Sequence, residues 1–462
     1  MNEKRSAPAV SPFEGPGLSR RAFLELSAGG LVASWFLPAA HTARAASVAA
    51  VTPRGTARNA IFVYLPGAPS QTDLWDLKEG AWTPSDFAPT TIGAVRWPQG
   101  LLPKLATHLP DIALVRSMRS PALVHSLGQT WVQISRSPTG ATGAIAPNIG
   151  AVAALELSAG RGAGDVLPGF LALNPPGGLV GSGYFPSTYA PFGVQPTSTG
   201  LPLLTHKDGA ARFALRWQDL NALDAKLRTG QPLGKDASDA VAFYQQAKSL
   251  MDHTEVNALF AYATADSQRY GSTSFGNACL VAKQVLAGNR GARFVQLSLG
   301  GWDMHSNIYN RSAGTNLYTL AKVLDDGLGA LLSDLKATPG ATPGRSLLDE
   351  TLVFATGEFG RTVAALNGQL GRDHFFGYAV LLAGGGVKGG RVVGATDATG
   401  AKVTEAGMPG RTELHTEDLA CTVYSALGID WTTVRHDDPL GRGFEYVPFA
   451  KDGVYAPIDP LF

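Results

Sequence analysis

Two cysteines, Cys279 and Cys421, are all that 462 residues contain. They are too few for a disulfide framework. Each lies in a run that reads as a helix, "FGNACLVAKQVL" and "EDLACTVYSALG", so both are expected to be small core residues. Charge is scarce as well: 16% of the residues are charged and the formal net charge is +1. A nucleic-acid partner normally shows as a basic excess, and there is none. Past the amino terminus no apolar run reaches the roughly 20 residues of a membrane-spanning helix. Internal repeats and low-complexity tails are missing too. What is present is a 45% hydrophobic chain, enough for a sizeable core and long enough for one big domain or two ordinary ones.

The amino terminus follows a different logic. "SRRAFLELSAGGLVASWFLPAAHTARA" carries Arg20-Arg21, then Phe23 and Leu24, an apolar stretch from Leu26 to Ala40, and the small-residue site Ala43-Arg44-Ala45. That is the pattern of a twin-arginine (Tat) signal with an A-x-A cleavage site. The competing reading, a membrane anchor, fails on a stretch too short and too rich in glycine and alanine. Residues 1–45 are expected to be a signal peptide, and 46–462 one exported α/β domain without a transmembrane anchor after cleavage. The Tat translocase would then be a partner during export, with the product periplasmic or extracellular. Because that route carries folded proteins, a cofactor could be loaded beforehand.

Five short apolar runs predict strands: "AIFVYL" (60–65), "IALVRSM" (112–118), "RFVQLSL" (293–299), "TLVFAT" (351–356) and "YAVLLAG" (378–384). They do not alternate with polar residues, which marks strands buried on both faces, as in a parallel sheet. Helical patterns lie between them. In "TNLYTLAKVLDDGLGALLSDL", Leu317, Leu320, Leu324, Leu328, Leu331 and Leu335 recur at spacings of three and four. Another helix after Thr416 carries Leu419, Val423 and Leu427 and stops at Gly428. The class is α/β. Residues 140–235 are dense in glycine and proline and read as a loop-rich excursion, with helical stretches around 211–228 and 237–269.

In open α/β sheets ligands bind beyond the carboxyl ends of the strands, and there the polar residues gather. Strand one is followed by Ser70, Asp73 and Asp76, and strand two by Arg116, His125 and Ser126. "GGWDMHSN" supplies Asp303 and His305, "GEFGRT" supplies Glu358 and Arg361, and "GRDHFF" supplies Arg372, Asp373 and His374. In extended backbone, residues two apart point to one side, so Asp303 and His305 could grip one cation. They could equally be a turn-capping Asp and a His packed on Trp302. Glu358, ending an apolar strand, needs a partner, either a metal or Arg361 in a structural ion pair. Ser126 opens a helix, as an activated hydroxyl or as a plain N-cap. "GGGVKGG" lacks the Gly-Lys-Ser/Thr ending of a P-loop and reads as a glycine-rich turn.

Taken together, "FVYLPGAPSQTDLWDLK", "GGWDMHSN", "LVFATGEFGRT", "GRDHFFGYAVLLAGGGVKGG" and "TEDLACTVYSALGID" resemble successive blocks of one family. It is the Tat-exported domain-of-unknown-function family fifteen-zero-one, related to the alkaline phosphatase and sulfatase superfamily, over roughly residues 59–445. The resemblance implies an alkaline-phosphatase-like fold: a central, largely parallel sheet with helices on both faces. It further implies one or two divalent cations (Zn, Mn, Ca or Mg) beside a hydroxyl nucleophile, acting on phosphate or sulfate esters. Carried over by position, Asp303, His305, Glu358 and His374 are the expected metal ligands. Ser126 falls near the nucleophile's place, and Arg361 and Arg372 could clamp an oxyanion. Two departures stand out. The superfamily places an acidic ligand after strand one, where this chain has Pro66-Gly67, and a histidine after the strand-four acid, where it has Phe359. A one-cation site, or none, fits that pattern better than a copy of the two-cation alkaline phosphatase site. Two functions follow: a hydrolase of a small anionic ester, or an exported binding or assembly protein that kept the fold and lost the activity.

Overall fold

Every side chain of strand β1 (Asn59–Tyr64) is buried, yet neighbours along it face different cores. Ile61 and Val63 pack into one apolar cluster, and Ala60, Phe62 and Tyr64 into another. That two-residue alternation makes this a sheet covered on both sides. The structure, a computed structural model, describes residues 51–201, 206–228 and 234–462. The twin-arginine segment lies outside the described residues. Residues Val51–Phe462 form one unit by internal contact.

Ten further strands matter here: β2 (Ile112–Arg119), β3 (Phe170–Leu173), β4 (Phe192–Val194), β5 (Phe294–Ser298), β6 (Thr351–Thr356), β7 (Gly360–Arg361), β8 (His374–Phe375), β9 (Gly377–Ala383), β10 (Arg391–Val393) and β11 (Leu414–His415). The nine-stranded sheet runs β10-β2-β9-β6-β1-β5-β3-β4, with β11 also on β2. All neighbours in it are parallel except β9, which is antiparallel to both β2 and β6. β7 and β8 form a separate antiparallel ribbon. The class is therefore α/β with a central, mostly parallel sheet. The direction of β9 differs from the parallel reading of its sequence. A central strand buried on both faces has the same continuous apolar composition whichever way it runs. Strands β3, β4, β10 and β11 escaped the sequence patterns because two to four residues are too few to show a period. Two of them, β3 and β4, come from the glycine- and proline-rich excursion.

Helices cover both faces. They are α1 (His125–Ile134), α2 (Ile149–Glu156), α3 (Ala210–Arg228), α4 (Gly234–Asp252), α5 (Ser274–Ala287), α6 (Leu317–Ala337) and α7 (Thr416–Ala426). Buried residues of α5 and α6 join the Ile61 cluster, and those of α2 and α7 join the Phe62 cluster. Helix α6 starts with a capping box. Asn316 accepts from the Thr319 backbone N–H, and the Thr319 hydroxyl accepts from the Asn316 N–H. Its Leu324, Leu328, Leu331 and Leu335 are fully buried, each contributing roughly 1.5–3 kcal/mol of transfer free energy. The expected helix over 237–269 is broken instead: α4 ends at Asp252, and short helices Thr254–Asn257 and Thr264–Arg269 follow. Cys279 and Cys421 are both buried.

Candidate metal centre

The eight mutually parallel strands send their carboxyl-terminal loops to one edge of the sheet. Because β9 runs the other way, the residues before it arrive at that same edge. This brings His374 to the loops after β2, β5 and β6. The β5 loop must still cross the sheet, since β9, β6 and β1 lie between β2 and β5. Gly301, at φ +102°, and Gly67, at φ +104°, permit that crossing. A Cβ on Gly67 would lie 2.8 Å from the Asp303 nitrogen, so only glycine lets the β1 loop and the 299–305 segment touch. Trp302 is buried beneath, its indole N–H donating to the Leu299 carbonyl at 2.8 Å.

His125, Asp303, His305 and His374 meet here, each offering one ligand atom with all four atoms within 4.8 Å of one another. Asp303 Oδ1 lies 3.2 Å from His125 Nε2, 3.0 Å from His305 Nε2 and 3.7 Å from His374 Nε2. The opposite nitrogen of each ring is fixed by an acceptor. His125 Nδ1 faces Glu358 Oε1 at 2.6 Å, His305 Nδ1 faces Asp373 Oδ1 at 2.7 Å, and His374 Nδ1 faces the Leu123 carbonyl at 2.7 Å. Those acceptors place a proton on Nδ1, so the three Nε2 atoms point inward, that of His305 accepting from Arg361 Nη1 at 3.3 Å. Two of them, on His305 and His374, stand only 3.0 Å apart. His125 Nε2 is buried and makes no hydrogen bond. Lone pairs so placed repel unless positive charge lies among them.

The electrostatics differ from ring to ring. The Glu358 hydrogen bond, opposed by burial, raises the pKa of His125 and so favours its protonated form in the absence of an ion. Burial lowers that of His374. Burial pushes the Asp303 carboxyl up, but the hydrogen bond and charge of Arg361, aided by His125, more than reverse this and leave it below the usual range. The His305 hydrogen bond lowers Asp373.

Donor chemistry fits a divalent cation. A tetrahedral ion with bonds of 2.0–2.1 Å sets its ligand atoms about 3.3 Å apart, and the separations from Asp303 Oδ1 scatter around that value. Three imidazoles and one carboxylate suit zinc or another imidazole-binding metal better than calcium or magnesium.

Of the residues expected at the site, Asp303, His305 and His374 are brought together. Glu358 stands behind them. It is fully buried and engages His125, Gln129 Nε2 and the Gly67 N–H, which makes it the carboxylate that orients a ligand. Ser126 is exposed in the first turn of α1, and the N-cap of that helix is Val124. Arg361 is buried against the cluster with all five donors used: Ala68 O, Gly67 O, Arg372 O, His305 Nε2 and Asp303 Oδ1. Arg372 is spent elsewhere. Its donors go to Asp73 (2.8 and 3.1 Å), the Tyr309 hydroxyl and the carbonyls of Thr362 and Ala364. It acts as a buried strut, without a free edge for an oxyanion. His125 was not among the ligands expected from the sequence, although a histidine in the first helical turn after a strand's carboxyl end was the available signal.

The family model for a protein of unknown function (DUF1501) matches residues 57–448. The chain belongs to that family. No curated protein matches it. Similar solved structures include a sulfatase from Pseudoalteromonas sp., at 13% identity and TM-score 0.39, covering 81% of this chain and 69% of that one. Another is a protein of the alkaline phosphatase superfamily from Vibrio parahaemolyticus, at 10% identity and TM-score 0.36, covering 82% and 70%. A third is a phosphonate monoester hydrolase from Silicibacter pomeroyi, at 13% identity and TM-score 0.34, covering 80% and 73%.

Proposed function

We propose that this family member is a metal-dependent hydrolase of a small anionic ester, a phosphate or sulfate ester. The observation that carries this reading is the convergence of three Nδ1-anchored imidazoles on one carboxylate oxygen at an open edge of the sheet. His125, Asp303, His305 and His374 would hold the ion, which would supply Lewis acidity to an ester whose charge grows as its bond breaks. The chain's own residues do the rest. Glu358, Asp373 and the Leu123 carbonyl fix the rings, and Arg361 holds Asp303 in place with a permanent positive charge. Ser126, exposed beside His125 where the helix terminus favours an anion, is the candidate nucleophile.

A second reading, a metal-binding protein without turnover, draws on Arg361 and Arg372 having no donor left to clamp an oxyanion. One experiment separates the two. Elemental analysis of the protein from an exporting host is combined with hydrolysis of p-nitrophenyl phosphate and p-nitrophenyl sulfate. Hydrolysis that needs bound metal, and that Ser126→Ala and Asp303→Asn abolish, supports the hydrolase. Stoichiometric metal without turnover supports the second reading, and neither metal nor turnover ends both.

Export through the twin-arginine route to the periplasm or beyond belongs to the same proposal, on the strength of Arg20-Arg21 and the Ala43-Arg44-Ala45 site. Among the described residues no helix is long and apolar enough to cross a membrane. Replacing both arginines with lysine should leave the protein in the cytoplasm, and unchanged export would remove the claim.

A further inference from the structure

The three acceptors that anchor the imidazoles are not equally secure. Glu358 is sealed from water and the Leu123 carbonyl belongs to the backbone, but the Asp373 side chain is 54% exposed. An exposed ion pair gains little by itself, since water competes for both partners. Asn367, half-buried in the loop between β7 and β8, bears on that weak point. Its Nδ2 donates to Asp373 Oδ1 at 3.2 Å and to the His305 carbonyl at 3.0 Å. One amide nitrogen thus holds both members of the pair. Its Oδ1 accepts from the backbone N–H groups of Gln369 at 3.0 Å and Gly371 at 2.9 Å. Two of these partners only donate and two only accept, which fixes the direction of the amide and uses all four of its bonds. The His305 hydrogen bond, and then that of Asn367, holds the Asp373 carboxyl below its usual range. The loop itself has other supports. Asn307 N–H donates to the Gln369 carbonyl at 3.0 Å, Ile308 N–H to that of Leu370 at 2.9 Å and Arg372 N–H to that of Met304 at 3.0 Å.

We propose that Asn367 is a positioning residue for the cation site: it keeps Asp373 on His305 Nδ1 and so keeps His305 Nε2 turned toward the ion. The inference rests on the metal reading of the cluster and extends it to a residue that makes no bond to a ligand ring. A carboxylate held on one ring nitrogen fixes the orientation of the imidazole and makes the other nitrogen a better donor to a metal. With Asp373 held in advance, less side-chain freedom is lost when the ion arrives. Few side chains could take the place. Aspartate has no N–H to give, leucine has neither donor nor acceptor, and glutamine sets its amide one methylene farther from the backbone.

Zinc affinity of the full chain, read by competition with a chromophoric chelator, tests it together with thermal melting of the metal-free protein. Asn367→Asp keeps an oxygen for the Gln369 and Gly371 N–H groups and removes both donors. Its metal-free melting temperature should stay close to that of the wild type, while zinc affinity falls about tenfold, the lower end of the scale for residues that orient a ligand. The added carboxylate would by itself attract a cation, so the fall occurs against that attraction. Because Asn367 acts through Asp373, the two losses should not add. Asn367→Asp placed on Asp373→Asn should weaken zinc by no more than about twofold beyond Asp373→Asn alone. Should Asn367→Asp fail to fold, Asn367→Ser, whose short hydroxyl can still cap the turn, must show the same loss and the same coupling. Zinc affinity equal to that of the wild type would overturn the proposal and leave Asn367 a loop-building residue. A full tenfold loss that persists in Asp373→Asn would overturn it too. No zinc bound by the wild type would remove the metal reading itself, and this inference with it.

Discussion

Glu358 shows how much a single side chain organises. Its carboxylate ties the β1 loop, through the Gly67 N–H, to helix α1, through His125 and Gln129. It also contributes, after burial, to raising the pKa of the Tyr64 hydroxyl, whose oxygen has no partner of its own. The carboxylate is the charge-assisted anchor of one inward-facing imidazole. Glu358→Gln keeps the volume and an acceptor oxygen but removes the charge that makes His125 Nε2 a stronger donor to a metal. Zinc affinity, read by competition with a chromophoric chelator, should fall roughly ten- to a hundred-fold, the scale for a residue that orients a ligand. Secondary structure by circular dichroism should be unchanged. Unaltered affinity would mean that His125 takes no part in holding the ion. Arg372 illustrates the opposite case. Its ion pair with Asp73 is sealed from water on both sides, so its value lies in fixing the loop that carries Asp373 and His374.

Helix α7 makes a test at the scale of an element. Glu417, in its first turn, is buried and accepts from the Trp131 indole N–H of α1 at 2.7 Å. Burial pushes its pKa up to about 7, against the opposing Trp131 hydrogen bond. The folded state thus holds a proton that the unfolded chain, with an ordinary glutamate near 4.3, gives up earlier. Stability from this residue is full below the unfolded value and is lost as pH rises toward 7, by about 3 kcal/mol in all. Glu417→Gln should therefore flatten the fall in unfolding free energy between pH 4.5 and 7, measured by denaturant titration at several pH values, to that rough extent. An equally steep profile in the variant would place the proton elsewhere. The elements that frame the cluster were largely legible in the sequence, because five continuous apolar runs and the leucine spacing of α6 are physical signatures of burial. The direction of β9 was not, and that direction delivers His374 to the right edge. Nor could spacing reveal Gly67 as the contact that lets Asp303 cross three strands, since its role depends on a segment more than two hundred residues away.

At the scale of the whole molecule, the ligands come from positions 125, 303, 305 and 374, and only the completed sheet brings them together. No part of the unfolded chain holds them in register, so an ion held by them would bind the folded state alone and its binding energy would become folding energy. If the chain is exported folded, as proposed, a site made by tertiary structure could be filled before the membrane is crossed. The gain follows from linkage. At a free metal concentration one hundred times Kd, the folded state is favoured by about 2.7 kcal/mol. Thermal unfolding at a fixed scan rate, with zinc or manganese and then with excess chelator, should show a chelator-reversible rise for wild type. Asp303→Asn removes the charge from the oxygen on which all three imidazoles converge, and with it the only carboxylate among the four cluster residues. Its metal-free melting temperature should stay close to that of the wild type, because Asp303 is half-exposed (47%) and an amide can still accept from Arg361. Its metal-dependent rise should vanish or shrink to the level of nonspecific binding. Equal rises in both proteins would show the ion bound elsewhere. No rise in either would leave the three imidazoles to be balanced by protons and by Arg361 alone.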